Sequence, residues 1–143
     1  MLYFDTSFLL PYFTTEASST AVEAFFGRHD VDSFAISQWT ATEFHSAISF
    51  KVRSGQLAAG MQDAILERFA TARADSFLVV LPTAADFDLA SSLLRDWKSG
   101  LRSGDALHLA IARNRDATLV TLDKTMLKAA RSQKIAHKTL PGS

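Results

Sequence analysis

Short runs of nearly continuous apolar residues, separated by longer stretches of helical period, constrain the fold of this chain more than any other feature of its sequence. The runs are LYF at 2–4, SFAIS at 33–37, SFLVVLP at 76–82 and ATLVTLD at 117–123. A strand that is apolar without alternation is one buried on both faces, as in a parallel sheet covered by helices. The cover is visible between the runs, where Phe44, Ile48 and Val52 repeat at helical spacing, as do Met61, Ile65 and Phe69, and a later stripe carries Leu107, Ala110 and Ile111. The alternation predicts an α/β fold, a three-layer α/β/α sandwich around a central parallel sheet of four to five strands, the fifth being an edge strand from IAHKTL. Thr6 or Ser7 is expected to start the first helix, which Pro11 complicates. Gly27 is expected to stop the second helix, Ser37 to cap the third and Ser54-Gly55 to end it. Residues 1–140 read as a single domain and 141–143 as a loose tail.

Composition matters here mainly for what it excludes. The chain has 143 residues and no Cys, so it has neither a disulfide framework nor a thiolate metal site. No apolar run approaches the ~20 residues of a membrane span. No basic segment precedes the first apolar run, so a secretory leader is not expected. A cytoplasmic protein with no membrane partner is the expectation. Net charge is zero, yet residues 1–94 hold 5 Lys and Arg against 11 Asp and Glu, and residues 95–143 hold 10 against 4. That asymmetry fits a surface facing a polyanion, and fits uneven scatter equally well.

The chemistry lies in four acids. In an open parallel sheet, ligands bind beyond the carboxyl ends of the strands. Asp5 follows the first run directly, and Asp123 follows LVTL at the start of the last helix. Asp105 sits in the first turn of a helix after Ser103-Gly104, and Glu43 lies about one and a half turns into the helix after the second run. Each alone has a bland account: acids favour helix N-termini, and Glu is usually solvated. Asp5 is the hardest to explain that way, because Thr6 or Ser7 would cap the next helix without a charge. Together the four can converge on one spot. Carboxylates gathered out of water repel each other unless a hard divalent cation compensates them, and Mg²⁺ or Mn²⁺ suits all-oxygen ligands. Such a cation can activate water for attack on a phosphodiester.

LYFDTSFLL, the mid-helix Glu43, SGDALHLAIA and LVTLDKTMLKAA, in this order and spacing, resemble the PIN-domain nucleases, and more closely the VapC toxins of VapBC toxin–antitoxin pairs. The resemblance spans nearly the whole chain. It implies the α/β/α sandwich and Mg²⁺- or Mn²⁺-dependent cleavage of RNA. It also implies a homodimer, and inhibition by a VapB-type antitoxin whose tail covers the site. By this match Asp5, Glu43, Asp105 and Asp123 are the catalytic and metal-binding acids, and Thr6 or Ser7, with Thr121, are hydroxyls that orient acids, water or phosphate. The alternative is a catalytically silent PIN-like module that binds RNA or protein. Phosphatases of the haloacid-dehalogenase type need a second Asp two residues after the first, where this chain has Ser7, and receiver domains need an Asp where it has LVVLPT.

His108 follows Asp105 by three residues on about the same helix side, and packing or hydrogen bonding at the helix face is its expected role. His45 does not share a helix face with Glu43. His29 and His137 read as loop residues. Lys98, Arg102, Lys124, Lys128 and Arg131 lie in segments expected to border the site, as phosphate contacts or as a solvated face. Trp39 reads as core or dimer contact, and Trp97 is left open.

Overall fold

The computed structural model describes residues 1–141; Gly142 and Ser143, two of the three residues assigned to a loose tail, lie outside the described residues. Five parallel strands form one sheet in the order β3-β2-β1-β4-β5. They are β1 (Leu2–Phe4), β2 (Phe34–Ser37), β3 (Leu78–Val80), β4 (Thr118–Val120) and the two-residue edge β5 (His137–Lys138). Seven helices connect and cover them: α1 (Thr6–Phe13), α2 (Ser19–Phe26), α3 (Gln38–Arg53), α4 (Gln62–Ser76), α5 (Ala84–Leu93), α6 (Ser103–Asn114) and α7 (Lys124–Ser132).

Strand alternation sorts side chains into two cores. Phe4 of β1, Phe34 and Ile36 of β2 and Val120 of β4 pack with Phe8, Val22, Phe25, Phe44, Ile48 and Phe69 beneath α1–α4. Tyr3, Ala35 and Leu119 point the other way, into a core built from α5, α6 and α7. The first core is aromatic: Phe4 meets five other phenylalanines at centroid distances of 5.0–6.1 Å, and such tilted and edge-on pairs add to their area burial. The second is rich in Ala, which lets α6 lie so close that Ala106 through Ala112 are all buried.

Several local expectations change. Thr6 starts α1 as expected, but the N-cap is Asp5 itself, accepting from the Phe8 amide, and not a hydroxyl. Pro11 is accommodated inside α1. Met61 does not belong to the α4 core stripe; it sits ahead of the helix and is 53% exposed, while Ile65 and Phe69 are buried. His137 lies in β5 rather than in a loop, whereas His29 is in a loop as expected and stacks on Phe25 at 4.1 Å. Among the described residues no helix is long and apolar enough to cross a membrane.

Candidate functional site

From β1 the chain proceeds outward to β2 and β3, whereas β4 and β5 lie on the other side of β1. The carboxyl ends of β1 and β4 therefore flank the point where the winding reverses, which is where ligands bind in such sheets. Asp5 ends β1 there, and Thr121 and Asp123 follow β4. A pocket of about 440 Å³ opens at this place, and Asp5, Glu43, Asp105 and Asp123 all line it, together with Thr6, Ser7 and His108. A separate cavity of about 470 Å³, lined by Tyr12, Phe26, Phe34, Arg68 and Phe77, contains none of the four acids.

Each acid is anchored by a local device. Asp5 is 2% exposed; Ser7 Oγ donates to both its oxygens at 2.9 and 2.8 Å, Thr121 Oγ1 to Oδ2 at 2.8 Å, and the Phe8 amide to Oδ1 at 3.1 Å. Asp123 caps α7 by accepting from the Met126 amide at 2.7 Å through Oδ1. Asp105 accepts from the Arg102 amide at 3.0 Å through Oδ2. The second oxygens of Asp105 and Asp123 make no hydrogen bond among the described residues. The bland account of these acids is therefore correct as far as it goes: Asp5 and Asp123 are N-caps, and Asp105 lies in the first turn of α6. It is incomplete, because the same three also share a pocket wall.

Glu43 reaches the pocket from α3 and is held through Oε2, by Thr6 Oγ1 at 2.8 Å and His108 Nε2 at 2.5 Å. Gly104 makes room for it: a Cβ at that position would stand 2.5 Å from Glu43 Oε1 and 3.4 Å from the Trp39 ring. The Trp39 indole nitrogen lies close enough to favour the Glu43 anion, yet it makes no hydrogen bond of acceptable geometry and is buried.

The electrostatics divide the acids. Burial pushes the Asp5 carboxyl above its ordinary range, against the nearby His108 and the hydrogen bonds from Ser7, Thr121 and Phe8. Burial also raises Asp105, opposed by the Arg102 amide and reinforced by the neighbouring charges of Asp123 and Glu43. Burial would raise Glu43 too, but His108, Thr6 and Trp39 outweigh it and hold it below its usual value. None of the four is ion-paired with Lys or Arg among the described residues. Of the cations expected at the border, none of Lys98, Arg102, Lys124, Lys128 and Arg131 lines the pocket; Lys98 and Lys128 line a different one. The single Lys or Arg on the pocket wall is Arg53, near the exposed Phe50 on the same helix, and sequence reading assigned neither to the site.

The donor set is all oxygen and net anionic, which fits a hard divalent cation. Among the described residues no three Asp, Glu or His side chains stand close enough to enclose a metal ion. The fit is thus to a cation held by one or two carboxylates with water completing its shell, the habit of Mg²⁺ rather than of a closed cage.

Fold and pocket together define an α/β/α protein with an acid-lined site at the winding reversal of a parallel sheet. The PIN domain family matches residues 2–132, and the chain belongs to that family. No curated protein matches. Among solved structures, FitAB bound to an IR36 DNA fragment has a TM-score of 0.76 at 15% identity, covering 97% of this chain and 94% of that one. Mycobacterium tuberculosis VapC20, described as a sarcin-ricin loop cleaving toxin, has a TM-score of 0.71 at 16% identity over 90% of this chain and 95% of that one. VapBC2 from Rickettsia felis, bound to a promoter DNA fragment, has a TM-score of 0.66 at 16% identity over 97% and 98%. At these identities the likeness is one of fold.

Proposed function

We propose that this protein is a divalent-cation-dependent endoribonuclease acting as the toxin of a VapBC-type toxin–antitoxin pair. The observation that carries the reading is the meeting of Asp5, Glu43, Asp105 and Asp123, from four separate segments, on one pocket wall. Family membership supports it, and so do structural neighbours that are toxins or toxin–antitoxin complexes. By the same analogy its partners are an RNA substrate, a VapB-type antitoxin and a second copy of itself.

One or two at a time of Asp5, Asp105, Asp123 and Glu43 would hold Mg²⁺ or Mn²⁺ with water completing its shell, and Glu43 would otherwise orient water. A bound cation supplies charge for the phosphoryl oxygens and lowers the pKa of water. The protein's own part is to present oxygens in fixed directions. Ser7 and Thr121 hold both oxygens of Asp5, and Thr121 also receives the Asp123 amide at 3.0 Å, tying two acids through one hydroxyl. The amides of Arg102 and Met126 each take one oxygen of Asp105 and Asp123 and leave the other free for the pocket.

Asp5→Asn should fold and lose cleavage of single-stranded RNA by at least 100-fold in Mn²⁺ buffer, and EDTA should abolish cleavage by the parent. Parent-like rates from Asp5→Asn would refute the assignment. The rival is a PIN-like module that binds RNA or protein without cutting. Calorimetric titration with Mn²⁺ separates the two: the nuclease reading expects binding that Asp5→Asn weakens, and the module expects none.

A further inference from the structure

The anchor of Glu43 runs into the core through a histidine. Its partner His108 is 1% exposed and uses both ring nitrogens, Nε2 on Glu43 and Nδ1 on the Tyr3 hydroxyl at 2.8 Å. Tyr3 is wholly buried in the middle of β1, and its hydroxyl also donates to Ser37 Oγ at 2.9 Å. Ser37 in turn is locked by the capping box of α3, where its Oγ accepts from the Thr40 amide at 3.0 Å. A ladder of polar side chains thus crosses from the first turn of α3 through β1 and α6, and returns to α3 at Glu43. His108 backs the pocket wall, but at 1% exposure and with both ring nitrogens engaged its imidazole meets the site through Glu43.

We propose that His108, backed by Tyr3, is a positioning residue that fixes one oxygen of Glu43, so that the carboxylate meets the pocket in a single orientation beside Gly104. The proposal rests on reading the pocket as a nuclease site. A free Glu side chain samples many rotamers. Here Thr6 and His108 take Oε2 from two different helices, and Gly104 leaves space for Oε1 that a side chain would fill. The freedom is spent at folding rather than in each encounter with substrate, and small misplacements of a reacting group are costly in rate. Outer partners of this kind typically change metal affinity or activity by about 10–100-fold when removed. The sequence shows no trace of the ladder, since Tyr3, Ser37 and His108 lie in three separate segments.

The test uses His108→Leu, His108→Gln and Tyr3→Phe in the full chain. Gln can still donate to Glu43 from nearly the position of Nε2; Leu cannot; Phe keeps the ring and loses one hydroxyl. The first readout is the ¹³C carboxyl signal of Glu43 in metal-free protein. It should move and broaden in His108→Leu, move less in Tyr3→Phe, and stay near the parent in His108→Gln. The second is single-turnover cleavage of a short RNA at saturating Mn²⁺. His108→Leu should lose about 10–100-fold in rate with KM for RNA unchanged, Tyr3→Phe a few-fold, and His108→Gln should recover most of the loss. An unmoved Glu43 signal in His108→Leu overturns the inference. So does a Gln variant no better than Leu, which would mark a purely structural role. Should Leu fail to fold, Tyr3→Phe and Gln still decide by the same signals. A parent that cuts no RNA removes the nuclease reading, while the Glu43 signal in metal-free protein continues to judge whether His108 holds the carboxylate.

Discussion

Asp5 and Asp86 are both buried carboxylates at a helix start, and the structure treats them in opposite ways. Asp86 lies in the first turn of α5 and is fully buried. It accepts from the Thr83 amide at 2.8 Å, Asn114 Nδ2 at 2.8 Å and Arg115 Nη1 at 3.0 Å, and Arg115 continues to the Leu81 carbonyl at 2.8 Å. Burial pushes Asp86 up, but these donors overcome it and hold the carboxyl below its ordinary range. Asp5 has two hydroxyls and an amide as donors and, among the described residues, no cation bonded to it, and burial prevails. One region carries its own cation and locks α5 to the end of α6. The other gathers acids with no Lys or Arg ion pair among the described residues. An unneutralised cluster costs stability, and such a cost persists where a site needs charge for a ligand.

The comparison can be broken most severely at Asp86. Asp86→Ala leaves a partly buried guanidinium without its carboxylate, and about 3 kcal/mol should be lost, roughly 10 °C in thermal midpoint. A midpoint within 2 °C of the parent would show that the latch is not structural. The acid pocket should respond in the other direction. Asp105→Asn keeps an acceptor for the Arg102 amide and removes a charge raised by burial and by its neighbours. Metal-free and at neutral pH, this variant should be more stable by up to about 1 kcal/mol, read from urea unfolding. A clear loss would contradict the account of the pocket.

Acidification sharpens the same contrast. Asp86 and Glu43 have lowered values, so the stability they confer is present above their unfolded pKa and is lost as pH falls through the folded one. Asp5 and Asp105 have raised values, so their contribution is full below the unfolded pKa and declines as pH rises through the folded one. Asp86→Asn should therefore flatten the acid limb of the stability–pH curve, and Asp105→Asn should steepen it. The smallest effect on stability is expected at Gly104. Gly104→Ala gains helix propensity of about 1 kcal/mol, offset by pushing Glu43 Oε1 aside, so the midpoint should hardly move while RNA cleavage falls at least several-fold.

Most of the sheet was legible because β1, β2 and β4 carry a local signal, continuous apolar residues closed by a polar one; β3, just as apolar, is not buried on both faces but is an edge strand with Leu78 60% exposed. Met61 misled because it falls on the helical period but precedes the turn where α4 begins, and periodicity does not locate a boundary. Asp5, Asp105 and Asp123 stood out by their place after strands and in a helix first turn, and Glu43 by its part in the family resemblance. Tyr3, Trp39, Gly104 and Arg53 did not, because nothing in an aromatic residue, a glycine or a surface arginine announces which distant side chain it will meet. The basic residues of the second half border the site in sequence, yet none of the five lines the pocket; Lys98 and Lys128 line another, and the charge of Arg102 still favours the Asp105 anion.

By itself the sequence determined the parallel α/β architecture, the PIN resemblance and which carboxylates end up at the strand termini, since these follow from period, burial and local capping. Only the tertiary structure decided that Glu43 is held by a histidine 65 residues away, which acids lack an ion pair, and that the four line one pocket. Those depend on the approach of α3 to α6 and on the register of β1 beside β4, which many side chains set jointly and no segment encodes alone.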